Sequence, residues 1–201
     1  MTIIGVTKTQ PAETVIAAKA AGLRDVGENY LQEAVPKVAM VPRDGLVWHF
    51  IGQLQSNKTR PVAEHFDWVH TVDRLKVAER LSAQRAFHGP ALQVCLQVKL
   101  DDEPGKGGVS PQELPALARA VAGLPKLALR GLMCVPPASE DPLEQRRWFA
   151  QARCLLDDLR GDGLPADVLS MGMSGDLEAA ILEGATHVRI GTALFGTRSR
   201  P

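Results

Sequence analysis

One lysine near the start of the chain lies where a reactive amine could act. Lys8 follows an apolar segment, residues 2–6, that the sequence predicts as a β-strand. In the two-residue period of a strand, Lys8 shares one face with Ile4 and Val6. Partial burial lowers the pKa of a lysine amine and exposes its nucleophilic lone pair, so Lys8 could form an imine with an aldehyde cofactor. The alternative is a solvated loop lysine just past the end of a strand.

Two turns near the other end of the chain could hold a phosphate. Residues 169–178 (LSMGMSGDLE) predict a strand that runs through a glycine turn into a helix, and residues 189–192 (RIGT) predict a strand that ends in a small loop. Small residues there offer donors and close approach of the backbone without negative charge. These residues are Ser174, Gly175, Gly191 and Thr192. The alternative for each turn alone is a tight strand-to-helix connection, with a helix cap at Ser174.

Arg189 supplies a third chemical group. It shares the inward face of its strand with Gly191, while Val188 and Ile190 face the opposite way. A buried guanidinium needs a partner, and the ring nitrogen of pyridoxal 5'-phosphate (PLP) is one candidate. Because arginine stays protonated, it would leave that nitrogen unprotonated and weaken the ring as an electron sink, which suits carriage or racemisation better than transamination. The alternative is an ion pair between Arg189 and a carboxylate such as Glu28.

The elements that must position these groups alternate along the whole chain. Short apolar runs are separated by helical segments, which is typical of βαβ units. The predicted strands are residues 2–6, 25–27, 47–51, 68–72, 92–100, 129–135, 168–171 and 187–190. The predicted helices include residues 11–21, 75–86, 111–121, 143–159 and 177–183. This pattern predicts an α/β fold, a single (β/α)8 TIM-type barrel over residues 1–201, with ligands held above the carboxyl ends of the strands. A doubly wound open sheet is the competing architecture.

Composition narrows the class of protein. The chain has 201 residues, 45% of them hydrophobic, and its Lys+Arg and Asp+Glu counts are both 23, so we expect no nucleic acid partner. No apolar stretch is long enough to span a bilayer and no signal peptide is evident, which predicts a cytoplasmic protein with no membrane partner. The three cysteines, Cys95, Cys134 and Cys154, are interpreted as reduced core residues. The five histidines are scattered along the sequence, so we predict no metal site.

Six ordered segments carry a resemblance to a known family. They are residues 6–11 (VTKTQP), 27–33 (GENYLQE), 48–58 (WHFIGQLQSNK), 130–133 (RGLM), 170–178 and 188–196. Together they make the chain similar to the pyridoxal phosphate homeostasis protein family (YggS/PROSC-like), which is related in fold to the N-terminal barrel of bacterial alanine racemase. The resemblance implies a cytosolic PLP-binding barrel that carries and buffers PLP in intracellular PLP homeostasis, with no established catalytic turnover. It also implies PLP-dependent apoenzymes as transient recipients, and we expect a monomer.

The resemblance assigns roles to single residues. It implies Lys8 as the Schiff-base lysine, and it implies cofactor-binding roles for Asn29, His49, Ser174, Arg189, Gly191 and Thr192. Of these, Ser174, Gly191 and Thr192 would hold the phosphate, Arg189 would face the ring nitrogen, and Asn29 and His49 would line the pocket.

The chain departs from the family pattern in two ways. Gln10 stands where the family usually has a second lysine, which puts cofactor transfer through that position in doubt. The chain is also short of the usual N-terminal helix before strand one. We therefore expect exposed apolar surface at the foot of that strand, which would lower stability or promote association.

Two enzymatic functions compete with carriage of the cofactor. A PLP-dependent amino-acid racemase needs acid and base groups on opposite faces of its substrate. The only tyrosine, Tyr30, is predicted at the start of the helix after strand two, where a half-buried packing role is the simpler interpretation. A phosphosugar-binding barrel enzyme could instead use Lys8 without PLP, and such a protein would be colourless.

Overall fold

Eight parallel strands form a closed barrel in a computed structural model of the protein, which describes residues 1–101, 103 and 106–196. The strands are β1 (Thr2–Val6), β2 (Asp25–Glu28), β3 (Val47–Phe50), β4 (Trp68–Val72), β5 (Leu92–Gln97), β6 (Leu127–Met133), β7 (Val168–Ser170) and β8 (His187–Ile190). Each strand pairs with the next, and β1 pairs with β8 through Ile4 and Arg189. The predicted barrel is therefore confirmed, and the open sheet is wrong.

Helices cover the outside of the barrel. They are α1 (Ala12–Ala20), α2 (Leu31–Met40), α3 (Thr59–His65), α4 (Leu75–Gln84), α5 (Leu114–Ala122), α6 (Pro142–Gly161), α7 (Leu177–Leu182) and α8 (Thr192–Phe195), and Ser56–Lys58 forms a 3-10 turn before α3. The longest, α6, begins where its sequence predicts, since Pro142 takes the first position and the Asp141 carboxylate accepts a hydrogen bond from Leu143 N at 2.9 Å. No helix within the described ranges is both long enough and apolar enough to cross a membrane.

Several predicted boundaries differ from the structure. Strand β5 ends at Gln97 rather than at residue 100, and β6 spans Leu127–Met133 rather than 129–135. The register between them shifts next to Cys95, which is a β-bulge. At Gly131 in β6, φ is +149° and a Cβ atom would lie 2.0 Å from the Val168 carbonyl oxygen, so only glycine fits there.

The two faces of the strands meet different surroundings. A Cβ atom on Gly5 would lie 2.5 Å from Leu23, beyond the end of α1, so odd-numbered positions of β1 face the helices. The layer between strands and helices is a large apolar core that includes Trp48, Phe50, Phe66, Leu81 and Phe149. The inward face carries instead a small apolar cluster of Cys95, Met133 and Val168, beside buried polar side chains. The barrel interior is therefore largely polar, whereas the interiors of such barrels are usually filled by branched apolar residues.

An apolar groove lies at the foot of β1. Its lining includes Met1, Ile3, Leu23 and Leu194, and it has a volume of about 750 Å³. Met1 and Ile3 are 70% and 46% exposed. The expected apolar surface at this end of the barrel is therefore present.

Candidate functional site

A cavity of about 430 Å³ lies at the carboxyl ends of the strands. Six of the seven residues that the sequence predicts for the site line it: Lys8, Asn29, Ser174, Arg189, Gly191 and Thr192. Residues from both ends of the chain meet there because β1 and β8 are neighbours, with Gly5 paired to Ile190. The cavity is of the size that holds a small organic ligand.

The cavity wall combines apolar and polar surface. Its apolar part comes from Val6, Ile51, Met133, Val135, Met173 and Phe195. Gln10, which stands where the resemblance leads one to expect a second lysine, also lines the cavity. The wall can therefore pack against a flat ring while its polar groups fix the ring's orientation.

Lys8 lies between two contacts that tie its neighbours to α2. The Thr7 carbonyl oxygen accepts a hydrogen bond from Lys37 Nζ at 2.7 Å, and Thr9 N donates to Glu33 Oε2 at 2.8 Å. Thr9 has a φ of +65°, which is uncommon for a residue with a side chain. These contacts fix the backbone on both sides of Lys8.

A buried ion pair supports the same corner from outside the barrel. Lys37 Nζ lies 2.8 Å from Glu28 Oε1, and the Thr7 hydroxyl donates to the same oxygen at 2.6 Å. Burial raises the pKa of Glu28, while its bonds from Lys37 and Thr7 act in the opposite direction. Sequence reasoning missed Lys37, because its spacing of four residues from Glu33 would predict a surface pair on α2, whereas its partners Glu28 and Thr7 lie on other elements.

The turn after β7 brings Ser174 and Gly175 to the cavity. The Asp176 carboxylate accepts a hydrogen bond from Met173 N at 2.6 Å, which closes the turn. Helix α7 begins only at Leu177, with Asp176 at its N-cap position, so the alternative role of Ser174 as the helix cap is wrong. Ser174 is thus left facing the cavity.

Three features of the wall fit a bound polar ligand. Asn29 Oδ1 is buried and has no hydrogen-bond partner within the described part of the chain. A Cβ atom on Gly175 would meet nothing within 4 Å, and one on Gly191 would meet only Val6, from 3.5 Å. Packing within the described residues therefore does not require either glycine, and both leave room that a phosphate could occupy.

Arg189 is almost fully buried at the base of the cavity. Its Nη1 donates to Ser170 Oγ at 2.9 Å, and its Nη2 donates to the Cys134 carbonyl oxygen at 3.0 Å. Burial lowers the pKa of the guanidinium, which nevertheless stays charged near neutral pH. The alternative pairing of Arg189 with Glu28 is wrong, since Glu28 points out of the barrel toward Lys37.

His49 does not line the cavity, which corrects the prediction for this residue. It lies two positions before Ile51, and Ile51 reaches the cavity wall in its place. The His49 ring is fully buried deeper in the barrel, where Nε2 lies 2.9 Å from Asp25 Oδ1 and Nδ1 lies 2.9 Å from His70 Nε2. The resemblance assigned His49 to the pocket, and the structure places it on the inward face of β3 but below the cavity.

The interior gathers residues that are far apart in the sequence. The rings of His49, His70 and His187 lie within 6.3 Å of one another, centroid to centroid, and His49 stacks on Trp68 at 5.5 Å. Sequence reasoning treated these histidines as scattered, because nothing local shows that β3, β4 and β8 share one interior. Within the described ranges, no group of three histidine, cysteine or acidic residues could hold a metal ion.

The three cysteines do not all belong to the core. Cys95 and Cys134 are buried, and burial raises the pKa of each thiol to about 12. Cys154 is exposed on α6, which corrects its assignment as a core residue.

Comparisons with known proteins agree with this fold and cavity. A family profile described as alanine racemase, N-terminal domain, matches residues 1–199. The pyridoxal phosphate homeostasis protein of Pseudomonas aeruginosa is 60% identical over 196 residues, which span 98% of this chain and 84% of that protein. Its counterpart in Escherichia coli K12 is 48% identical over 201 residues, which span 98% of this chain and 86% of that protein.

Solved structures give the same result. PipY of Synechococcus elongatus, determined with PLP bound, superposes with a TM-score of 0.90 at 42% identity, covering 98% of this chain and 92% of that one. Alanine racemase from Corynebacterium glutamicum has a TM-score of 0.77 at 17% identity, covering 99% of this chain and 57% of that one, so it shows the fold alone. The chain therefore belongs to the alanine racemase N-terminal domain family and, within it, to the pyridoxal phosphate homeostasis proteins.

Proposed function

We propose that this protein binds PLP as a Schiff base on Lys8, in the cavity at the carboxyl ends of the strands, and that it carries and buffers PLP in intracellular PLP homeostasis. One observation carries the proposal: six residues predicted from the sequence, drawn from both ends of the chain, line a single cavity. When bound, PLP supplies an aldehyde for a lysine amine, an anionic phosphate and a pyridine nitrogen. The PLP-bound structure of PipY, a relative at 42% identity, supports the choice of ligand.

The residues of the cavity divide the work of binding. Lys8 would hold the aldehyde carbon, and the turns that carry Ser174, Gly191 and Thr192 would hold the phosphate through hydroxyl and main-chain donors. Arg189 would face the ring nitrogen as a permanent donor. Asn29, whose Oδ1 has no partner in the described part of the chain, would accept a hydrogen bond from the ligand.

Carriage rather than turnover is supported by what surrounds the cavity. Racemisation needs a second acid or base across the ligand from Lys8. Tyr30 is 52% exposed and lines a different depression, beside Phe50 and Leu54. We therefore propose that the protein has no catalytic turnover of its own, that it acts in the cytoplasm as a monomer, and that it gives PLP to apoenzymes.

The visible spectrum of the purified protein after incubation with PLP tests this proposal. The wild-type protein should be yellow, and borohydride reduction should fix a pyridoxyl group on the peptide that contains Lys8. The Lys8→Ala variant should lose the visible band and the adduct, whereas Lys76→Ala, at an exposed position of α4, should keep both. A colourless wild-type protein, or a Lys8→Ala variant that is as yellow as the wild type, would contradict the proposal.

The racemase alternative is tested separately. The PLP-loaded protein should leave single enantiomers of alanine and other amino acids unchanged in chiral chromatography. Conversion at a rate that depends on Lys8 would replace carriage with catalysis.

A further inference from the structure

A chain of hydrogen bonds runs through the barrel interior from the cavity to the foot of the barrel, which is the end where the strands begin. Arg189 Nη1 lies 2.9 Å from Ser170 Oγ, and Ser170 Oγ lies 2.8 Å from His70 Nδ1. His70 Nε2 lies 2.9 Å from His49 Nδ1, and His49 Nε2 lies 2.9 Å from Asp25 Oδ1. Five strands, β8, β7, β4, β3 and β2, each contribute one member. The chain joins a buried cation at the mouth to a carboxylate at the other end of the barrel.

With both imidazoles neutral, the two ends of this hydrogen-bond chain fix the direction of every bond in it. A guanidinium can only donate and a carboxylate can only accept. His49 must therefore donate from Nε2 to Asp25, which leaves its Nδ1 as the acceptor for His70 Nε2–H. His70 then accepts at Nδ1 from the Ser170 hydroxyl, and Ser170 accepts from Arg189. Every donor then points toward the foot of the barrel, and each imidazole carries a single proton, on Nε2.

We infer that Ser170, His70 and His49 are positioning residues for Arg189, acting as a one-way hydrogen-bond chain that orients its guanidinium in the cavity and links it to Asp25. Two of the guanidinium nitrogens are held by Ser170 and the Cys134 carbonyl oxygen, so its orientation at the cavity is fixed. The part of this inference that concerns the orientation of Arg189 toward a ligand rests on the proposed function. The proton arrangement does not depend on a ligand.

Charge supports the arrangement. Arg189 is 5% exposed and makes no ion pair among the described residues, although the Asp176 carboxylate acts on it from a distance. The hydrogen-bond chain links it to a second carboxylate, Asp25, whose side chain is 23% exposed. A buried charge without a partner is costly, and aligned dipoles between it and a distant carboxylate reduce that cost.

The surroundings keep both imidazoles neutral. Burial lowers the pKa of His49, and it lowers that of His70 well below the usual value, helped by the positive charge of Arg189. A proton added to His49 at Nδ1 would face the N–H of His70 Nε2 across the 2.9 Å gap between the rings, and a proton added to His70 at Nδ1 would remove the acceptor of the Ser170 hydroxyl. The other titratable groups that act on these rings and on their neighbours in the interior are Asp67 beside β4, Cys95 on β5, Arg130 on β6, Cys134 after β6, Asp167 before β7, Asp176 before α7 and His187 on β8.

Nitrogen NMR of protein with isotope-labelled histidines tests the direction of these hydrogen bonds without PLP. At neutral pH, His49 and His70 should each show a protonated Nε2 and an unprotonated Nδ1. A protonated Nδ1 on either ring, or a cationic ring, would overturn the inference.

A single hydroxyl deletion tests the link to Arg189. Ser170→Ala should move the Nδ1 resonance of His70 and, one link further, that of His49, and should weaken PLP binding about tenfold while the visible band remains. Ser82→Ala is the matched control, since it removes a buried hydroxyl on α4, outside the barrel, that donates to the Pro125 carbonyl oxygen. It should change neither.

The possible failures are distinguishable. Unchanged His49 resonances and unchanged PLP affinity in Ser170→Ala would overturn the positioning role. If the wild-type protein binds no PLP, the proposed function fails, and the NMR spectra still decide the proton arrangement. If Ser170→Ala does not fold, the spectra of the wild-type protein carry the test.

Discussion

The outer layer of the barrel and its interior are built from alternate residues of the same strands, yet they differ in chemistry. In β3, Trp48 and Phe50 face the helices and join the apolar core, while His49 between them faces inward and bonds to Asp25 and His70. Apolar burial in the outer layer is the main source of stability. The interior has few apolar contacts, so its order depends on directed hydrogen bonds. Changes in the outer layer should therefore act on stability, and changes in the interior should act on the cavity.

Deletion of an outer-layer side chain should have the largest effect on stability. Phe149→Ala removes a fully buried ring from α6 and should lower the free energy of unfolding by about 3–5 kcal/mol. Leu143→Ala, on the same helix but 65% exposed, should cost less than about 0.5 kcal/mol. Urea titrations measure both values. If the folded Phe149→Ala variant lost PLP binding as well, the proposed separation between the two layers would fail.

Acidification should act mainly on the interior. Its histidines have pKa values lowered by burial, to about 4 for His187, so the unfolded chain takes up protons first as the pH falls below about 6.5. Stability should be highest above that pH and should fall by up to about 1.4 kcal/mol per pH unit for each imidazole that stays neutral in the fold.

Two variants separate this effect from other titrations. His70→Phe should reduce the slope of unfolding free energy against pH by one proton, whereas His88→Ala, at an exposed position, should leave the slope as it is. Denaturant titrations at several pH values measure the slopes. Equal slopes for the wild type and His70→Phe would show that His70 is already charged in the folded protein.

Thiol labelling should show that both layers are closed to solvent, since one buried cysteine lies in each, Cys134 in the outer core and Cys95 in the interior. Cys154 is exposed and should react with a maleimide in the native protein. The thiols of Cys95 and Cys134 should not react, because they are buried and burial raises their pKa values to about 12. Mass spectrometry should find one label in the native wild type, none in Cys154→Ser and three labels after denaturation of the wild type. Rapid labelling of Cys95 in the native state would mean that the interior opens readily.

The sequence predicted the fold and most of the cavity because both follow from local patterns. Alternation along β1 and β8 placed Lys8 and Arg189 on the inward face, and the glycine turns marked the corner where Ser174, Gly191 and Thr192 lie. That residues 1–201 form one domain stays a prediction, as do the roles of these residues toward PLP.

The interior could not be predicted, since it depends on heights and registers of strands that are distant in the sequence. His70 and Ser170 are 100 residues apart and meet across the barrel, and no local pattern encodes that contact. The misplacement of His49 has the same cause. The resemblance assigned it to the pocket, but its depth depends on the stagger of β3 against β2, where Gly27 pairs with His49.

The pairing of β1 with β8 also has a consequence for protein synthesis. Lys8 leaves the ribosome well before the strand that carries Arg189 and the turn with Thr192, although their strands are neighbours in the barrel. Until β8 has emerged and closed the sheet, a nascent chain lacks half of the six cavity residues for which we propose a role in binding PLP. On the proposed function, termination before β8 would give a product unable to retain a vitamin-derived ligand, and the colour of a preparation would report that β8 had been translated.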